Sequence, residues 1–240
     1  MIYKWLKSNL RNAIPRQCVL CLTPTGNPHL LCAACEKELP KNTAHCIICA
    51  AAFPATLLST KPLVCGKCQA QPPSYETSVI PYLYAAPLKQ LITGLKFHAD
   101  LSSVPLLANS FHRELKRNAE KLPECIIPVP LHKQRLKERG FNQAIEIARL
   151  IALQIKIPLE ISLCQRSKVT PYQSGLSAKQ RKQNLKNAFT IAKEHPYKHV
   201  AIFDDVVTTG TTVNELAKQL KKSGVKIIEV WAIARTINKQ

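Results

Sequence analysis

The sequence has few acidic residues, few aromatic residues and no long apolar run. No segment approaches the roughly 18 consecutive apolar residues of a membrane-spanning helix, so we expect no membrane span. The basic segment from Met1 to Lys7 lacks the apolar core and the small-residue cleavage site of a secretory signal. We therefore expect a cytoplasmic protein.

The shortage of acids leaves 34 Lys and Arg against 15 Asp and Glu, a formal net charge of +19. A charge so far from zero favours an anionic partner, either a nucleic acid or a phosphorylated ligand. Aromatic residues make up only 6% of the chain, so few side chains are available to stack on bases. We expect any binding of single-stranded DNA to be mainly electrostatic.

Several enzyme signatures are also missing. No G-x-G-x-x-G segment marks a dinucleotide site, and no lysine precedes the hydroxyl residues of the one candidate phosphate loop, as it would in a P-loop nucleotidase. The seven histidines are scattered, and no Ser/His/Asp or Cys/His constellation is evident. These absences argue against nucleophilic catalysis by a side chain.

Cysteine, by contrast, is plentiful, and eight of the ten cysteines form four C-x-x-C pairs. Without a secretory signal, metal binding is favoured over disulfides. Two pairs complete one tetrahedral Cys₄ zinc site, so we expect about two structural zinc ions. Pairing of sequence neighbours is simplest, but the spacing also allows an interleaved pairing, or zinc at one site only. The predicted ligands are Cys18, Cys21, Cys32, Cys35, Cys46, Cys49, Cys65 and Cys68.

The most informative segment runs from Val200 to Thr212. An apolar strand is followed by two carboxylates, then by a loop of small hydroxyl residues, and then by a helix. Loop N–H groups and a helix N-terminus bind phosphate, and carboxylates accept hydrogen bonds from the vicinal hydroxyls of a ribose. The segment predicts a ribose 5-phosphate site; the alternative is a solvated, threonine-rich turn. Its residues are Asp204, Asp205, Thr208, Thr209, Gly210, Thr211 and Thr212.

Two basic segments are candidates for completing this site. The first, Pro130 to Gln143, follows a predicted strand and would leave the same sheet edge as the threonine loop. The second, Arg166 to Phe189, is long and polar, and connections of that length are usually functional or disordered. For both segments the alternative is a solvated basic surface.

Strands alternate with helices after residue 74, which predicts a parallel sheet with helices on both faces and ligands at its C-terminal edge. Residues 17–70 have few apolar clusters and would depend on metal for stability. Because Gln71-Pro72-Pro73-Ser74 is typical of a linker, we predict an N-terminal helix and Cys-rich zinc module in 1–73 and the sheet domain in 74–240. The predicted strands are 78–84, 125–129, 159–163, 200–203 and 227–234, and the helices are 88–97, 101–115 with a break near Pro105, 143–155 and 213–222.

The segment from Asp204 to Thr212 resembles the phosphoribosyl pyrophosphate (PRPP) binding motif of type I phosphoribosyltransferases. With the four C-x-x-C pairs and Arg139-Gly140-Phe141-Asn142-Gln143, it makes the whole chain resemble the ComF/GntX-like competence proteins, a zinc-bearing branch of that superfamily. The resemblance implies an α/β, type I phosphoribosyltransferase-like parallel sheet with a small N-terminal double zinc-ribbon module.

The resemblance also implies roles for individual residues. Asp204 and Asp205 would hold the ribose of PRPP, Mg²⁺ would accompany it, and Arg135 and Arg139 would contact pyrophosphate as further catalytic residues. The second basic segment would be a flexible catalytic loop that closes over the ribose. Its proposed contacts with PRPP are Arg166, Gln173 and Arg181.

Two functions of different classes fit these expectations. The first is a PRPP-binding phosphoribosyltransferase-like protein that acts in DNA uptake or natural transformation, with Mg²⁺-dependent transfer of the phosphoribosyl group to an unidentified acceptor. The second is a catalytically inactive, DNA-binding accessory factor of competence that uses the PRPP site for regulation. For both, the expected partners are PRPP or another ribose 5-phosphate compound, single-stranded DNA and other competence proteins.

Overall fold

The computed structural model describes residues 16–25, 30–54, 57, 62–118, 121–167, 188–192 and 194–237. The chain divides into two compact units, of which the first ends at Leu39 and the second begins at Pro40. The first two C-x-x-C pairs lie in the first unit, whereas the other two share the second unit with the sheet. The domain boundary near residue 73 stays a prediction, and the predicted N-terminal helix lies outside the described residues.

The main sheet has five strands in the described part of the chain, and every pairing within it is parallel. Strand β9 is central, since it pairs with β3, β4 and β8, while β8 also pairs with β5. Two short antiparallel pairs, β1 with β2 and β6 with β7, lie outside this sheet. The strands are β1 Arg16–Gln17, β2 Pro24–Thr25, β3 Thr77–Val79, β4 Tyr82–Leu83, β5 Cys125–Pro128, β6 Cys164–Arg166, β7 Phe189–Ile191, β8 His199–Val207 and β9 Ile227–Arg235.

Helices pack on both faces of the sheet, as the alternating pattern predicts. On one face Leu216 belongs to a buried cluster with Ile202 of β8 and Val230 of β9. On the other, Phe111 packs edge-on against Phe203, with ring centroids 5.7 Å apart, because successive strand residues point to opposite faces. The helices, numbered within the described residues, are α1 Ala33–Lys37, α2 Gly66–Ala70, α3 Leu88–His98, α4 Ser103–Asn118, α5 Lys133–Arg139, α6 Gln143–Ile155 and α7 Thr211–Lys222.

Several predicted elements differ from the structure. The strand predicted at 78–84 is divided into the short strands β3 and β4. Helix α4 does not break at Pro105, because this proline is the third helical residue, where a backbone N–H has no intrahelical acceptor. The strand at 159–163 is wrong: Leu159 makes only an isolated bridge to Ile126, and β6 begins at Cys164. The basic segment after β5 forms helix α5, which ends at Gly140 with a φ of 82°.

Candidate functional site

The eight paired cysteines form two groups of four, each with all Sγ atoms within 4.8 Å of one another. The Sγ atoms of Cys21 and Cys32 are 3.7 Å apart, as are those of Cys49 and Cys65. A tetrahedral zinc with Zn–S bonds of about 2.3 Å separates its sulfurs by about 3.8 Å. Both groups therefore fit zinc, and the sequential pairing is confirmed. We call Cys18, Cys21, Cys32 and Cys35 the first centre, and Cys46, Cys49, Cys65 and Cys68 the second centre.

The ligands of each centre lie in tight turns and at the starts of short helices. Cys32 precedes α1, and its Sγ accepts a hydrogen bond from the backbone N–H of Cys35. Cys65 precedes α2, and its own N–H donates to the Sγ of Cys46 at 3.3 Å. Burial raises the pKa of Cys18, but neighbouring backbone N–H groups outweigh it and lower that pKa to about 6. These donors favour the thiolate form that a metal requires.

The two aspartates lie within β8, because the strand continues beyond the predicted end at Phe203 to Val207. Asp205 is buried, and its Oδ2 atom lies 2.6 Å from the Nζ atom of Lys96. Its Oδ1 atom accepts a hydrogen bond from the Gln143 side chain at 3.3 Å. Burial raises the pKa of the Asp205 carboxyl, but the Lys96 charge outweighs burial and holds that pKa below its usual range.

The pKa of Asp204 is shifted in the opposite direction to that of Asp205. Burial and then the neighbouring charge of Asp205 raise the pKa of the Asp204 carboxyl well above its usual range. Its Oδ1 atom accepts a hydrogen bond from the Asp205 backbone N–H at 2.9 Å. The pair therefore combines a carboxylate paired with Lys96 and a carboxyl that binds a proton readily.

The threonine loop connects β8 to α7, as predicted from the sequence. Gly210 caps the helix with a φ of 78°, a left-handed conformation that glycine adopts without steric cost. Gly210 has no side chain to cap the helix, and the backbone N–H of Thr211 donates to the Thr209 hydroxyl at 3.4 Å. The hydroxyls of Thr209 and Thr211 lie 2.7 Å apart, and Thr208 is exposed. Thr211 and Thr212 form the first turn of α7, so the sequence places five hydroxyl or glycine positions around one helix N-terminus.

The first basic segment reaches the acidic pair through a short chain of contacts. Arg139 donates to the Oε1 atom of Gln143 at 2.6 Å, and Gln143 in turn donates to Asp205. The Arg139 guanidinium also lies 5.7 Å from the centre of the Phe97 ring. Arg135 and Arg139 line a cavity of about 510 Å³ together with Lys96.

Arg166 begins the second basic segment and is close to the same groups. Burial lowers the pKa of its guanidinium, the Asp204 charge opposes that effect and the Arg135 charge adds to it. Its Cζ atom lies 5.7 Å from the centre of the Phe189 ring. The other two residues assigned to this segment, Gln173 and Arg181, lie outside the described residues.

Sequence reasoning missed Lys96 as a partner of Asp205 and did not assign a role to Gln143. Lys96 lies near the end of α3, far along the chain from β8. His98, two residues further along α3, lines the same cavity as Lys96. Gln143 stands at the start of α6 within the basic motif, but its buried contact with Asp205 requires the fold to be known.

The described residues contain two Cys₄ clusters and a parallel α/β sheet that carries an acidic strand and a threonine loop. The double zinc ribbon family model matches residues 10–73, so this part of the predicted fold is confirmed. In the part of the chain that the structure describes, no helix is long and apolar enough to span a membrane.

Two relatives extend the match over almost the whole chain. Competence protein F of Haemophilus influenzae is 41% identical over 226 residues, which cover 90% of this chain and 96% of that protein. DNA utilization protein YhgH of Escherichia coli K12 is 34% identical over 230 residues, which cover 93% and 99%. The chain belongs to the competence protein F family.

Among solved structures, purine phosphoribosyltransferase from Pyrococcus horikoshii is 19% identical. The comparison covers 56% of this chain and 83% of that chain, with a TM-score of 0.35. The fold itself is defined by the parallel strand order and the two sulfur clusters.

Proposed function

We propose that this chain binds PRPP, or another ribose 5-phosphate compound, where β8 leads into α7. The observation that carries the proposal is the buried Asp205 carboxylate, paired with Lys96 and adjacent to Asp204, directly before the threonine loop. Two carboxylates on the strand that leads into an anion site suit a ligand that presents hydroxyl donors beside its phosphate. A ribose 5-phosphate has both groups.

Each part of the site has a proposed role. Asp204 and Asp205 accept hydrogen bonds from the ribose hydroxyls. Backbone N–H groups from Thr208 to Thr212 and the α7 N-terminus hold the 5-phosphate. Arg135 and Arg139 contact pyrophosphate, and Arg166, Gln173 and Arg181 cover the ribose and exclude water. Mg²⁺ bound with PRPP would neutralise charge on the pyrophosphate.

The biological context we propose is cytoplasmic DNA uptake or utilisation. The support is the family itself, whose members include a competence protein and a DNA utilization protein. A net charge of +19 is suited to single-stranded DNA as a partner, bound mainly through its phosphates. Other competence proteins are further proposed partners.

Phosphoribosyl transfer is the reaction this site would perform. A nucleophilic atom of the acceptor forms a bond to the anomeric carbon of the ribose, and the bond from that carbon to pyrophosphate breaks. The leaving pyrophosphate takes the electron pair, and the arginines stabilise its charge. The proposed chemistry requires positioning and electrostatic stabilisation and no nucleophilic side chain.

Calorimetric titration of PRPP, with and without Mg²⁺, tests the proposal. We expect Asp204→Asn combined with Asp205→Asn to abolish binding; because this change also leaves the buried Lys96 without its counter-charge, circular dichroism must show that the variant is folded at the temperature of the titration. Glu36→Gln with Glu38→Gln is the matched control, because it removes two carboxylates from the first unit. Undiminished affinity in the aspartate variant would refute the ribose assignment.

A nucleobase panel then separates the two candidate functions. Release of pyrophosphate with one acceptor identifies an enzyme, whereas PRPP binding without turnover favours the accessory factor. DNA affinity should fall steeply between about 50 and 200 mM salt if phosphate contacts dominate. A flat salt response contradicts electrostatic DNA binding.

A further inference from the structure

Arg235 is a buried residue that contacts both the second centre and the threonine loop. It ends β9, and 3% of its surface is exposed. Its Nε atom donates to the backbone carbonyl of Cys49 at 3.0 Å. Its Nη1 atom donates to the carbonyl of Val207 at 3.0 Å and also to the carbonyl of Thr208. One guanidinium therefore joins a metal-ligand turn to the first residues of the threonine loop.

Two further contacts connect the segment after the second centre to the threonine loop and α7. Tyr75 is buried, and its hydroxyl lies 3.6 Å from the point that a Cβ atom on Gly210 would occupy. The backbone N–H of Ser74 donates to the Oδ1 atom of Asn214 at 2.7 Å. Residues 74 and 75 follow α2, which carries Cys68. The segment leaving the second centre thus packs beside Gly210 and the first turn of α7.

A buried guanidinium is costly when its donors lose their acceptors, because both the charge and the N–H groups remain desolvated. The acceptors of Arg235 lie on two segments that are distant in sequence. If the turn at Cys49 moves after metal loss, Arg235 must move or lose a hydrogen bond. Either outcome changes the hydrogen bonds that Arg235 donates to the carbonyls of Val207 and Thr208.

We propose that the second centre holds the threonine loop in its phosphate-binding conformation through Arg235. Arg235 is in this view a positioning residue, and metal at the second centre and anion at the loop favour each other. The coupling is reciprocal, since each ligand raises the affinity of the other by the same factor. The anion-binding half of this inference rests on the function proposed above, whereas the structural half does not.

Hydrogen–deuterium exchange without any ligand tests the structural half. We expect the amides from Val207 to Thr212 to exchange about tenfold faster in Arg235→Lys, which keeps the charge but cannot span both sets of carbonyls. Cys65→Ser with Cys68→Ser should speed exchange at the loop at least as much, together with a smaller increase in the rest of the sheet. The matched control, Cys32→Ser with Cys35→Ser, removes the equivalent pair from the first centre and should leave the loop unchanged.

The Arg235→Lys variant decides the result even if the second-centre variant does not fold. Wild-type exchange at the loop in a folded Arg235→Lys protein, with two zinc ions still bound, would overturn the inference. In Arg235→Lys, a uniform increase over the whole sheet would also overturn it, because that result describes a general loss of stability.

Binding measurements test the coupling. We expect about tenfold weaker PRPP binding in Arg235→Lys, and slower zinc release from the second centre when PRPP is present. The release is measured in the Cys32→Ser and Cys35→Ser background, where the second centre supplies the signal. If the wild type does not bind PRPP, the proposed function fails, while the exchange experiment still decides whether Arg235 positions the loop. PRPP binding that Arg235→Lys leaves unchanged contradicts the coupling.

Discussion

The two Cys₄ centres have the same ligands and the same 3.7 Å sulfur spacing, but their surroundings differ. In the first centre Cys18 is buried, but Cys21 is exposed, and the next residue, Leu22, is 67% exposed. In the second centre Cys46 and Cys68 are buried, and the centre belongs to the compact unit that contains the sheet. The same coordination chemistry thus stabilises a small local turn in one place and part of a large folded unit in the other.

Side chains outside the ligand set account for this difference. Near the second centre, the buried Asn42 donates to the carbonyls of Ala50 and Ile80, and Arg235 donates to Cys49. Near the first centre, the Cys21 sulfur lies 3.3 Å from the Thr23 hydroxyl in an exposed turn. Loss of metal should therefore have unequal consequences at the two centres.

Removal of ligands should give the largest effect. We expect Cys65→Ser with Cys68→Ser to lower the unfolding free energy of the sheet by about 5 kcal/mol or more, because structural zinc contributes directly to folding. Cys32→Ser with Cys35→Ser should change it by less than about 1 kcal/mol. Urea unfolding followed by Trp231 fluorescence, in a Trp5→Phe background, measures both. Equal losses would show that the two centres have equivalent roles.

Lys96→Met tests whether the sheet can be destabilised without loss of zinc from either centre. We expect a loss of about 3–5 kcal/mol, since the buried Asp205 carboxylate would lose its counter-charge. Asp205→Asn in the same chain should restore much of that stability. Arg117→Met, which removes a surface ion pair to Glu114, is the control and should cost less than about 1 kcal/mol.

The measurements for Lys96→Met are urea unfolding and zinc content. Both metal ions should be retained in native buffer, because Lys96 contacts the acidic pair in β8. Zinc loss from the first centre in this variant would contradict the separation of the two regions.

Asn42→Ala should give an intermediate effect. The change leaves two buried carbonyls with one hydrogen bond fewer, which costs about 1–3 kcal/mol. Thr23→Val is the corresponding change beside the first centre, and we expect less than about 0.5 kcal/mol because the hydroxyl is exposed. Thermal unfolding of both variants gives the comparison, and a larger loss for Thr23→Val would reverse it.

The smallest effect is a proton linked to ligand binding in the sheet unit. Because the pKa of Asp204 is raised, its carboxyl keeps a proton to higher pH than an ordinary aspartate. A ribose or a cation prefers the ionised form, so PRPP binding should strengthen as pH rises and release up to about one proton. Calorimetry in buffers of different ionisation enthalpy measures this proton, and identical enthalpies in all buffers would contradict it.

Local patterns predicted those features that lie within one stretch of chain. The apolar run before Asp204 and Asp205, the threonines and the helical spacing after them are contiguous, so the strand, loop and helix could be predicted together. The C-x-x-C pairs likewise predicted two metal centres. Strand β8 extends past its predicted end at Phe203, because two adjacent acids normally mark an exposed position and here one of them is buried against Lys96.

Features that depend on distant segments could not be predicted in this way. Lys96 reaches Asp205 only after α3 packs beside the sheet, and no periodicity in α3 distinguishes Lys96 from a solvated lysine. Arg235 ends an apolar strand and resembles an ordinary charged residue at a strand terminus. Its acceptors at Cys49 and Val207 belong to parts of the chain that only the folded sheet brings together.

The position of β9 has a consequence for how the protein is made. This strand is the last of the described strands to leave the ribosome, yet it pairs with β3, β4 and β8. Until β9 is synthesised, the earlier strands therefore have unpaired edges and exposed apolar faces. Chains in this state are prone to aggregation and accessible to proteases. The second centre likewise gains its hydrogen bond from Arg235 only after β9 has been synthesised.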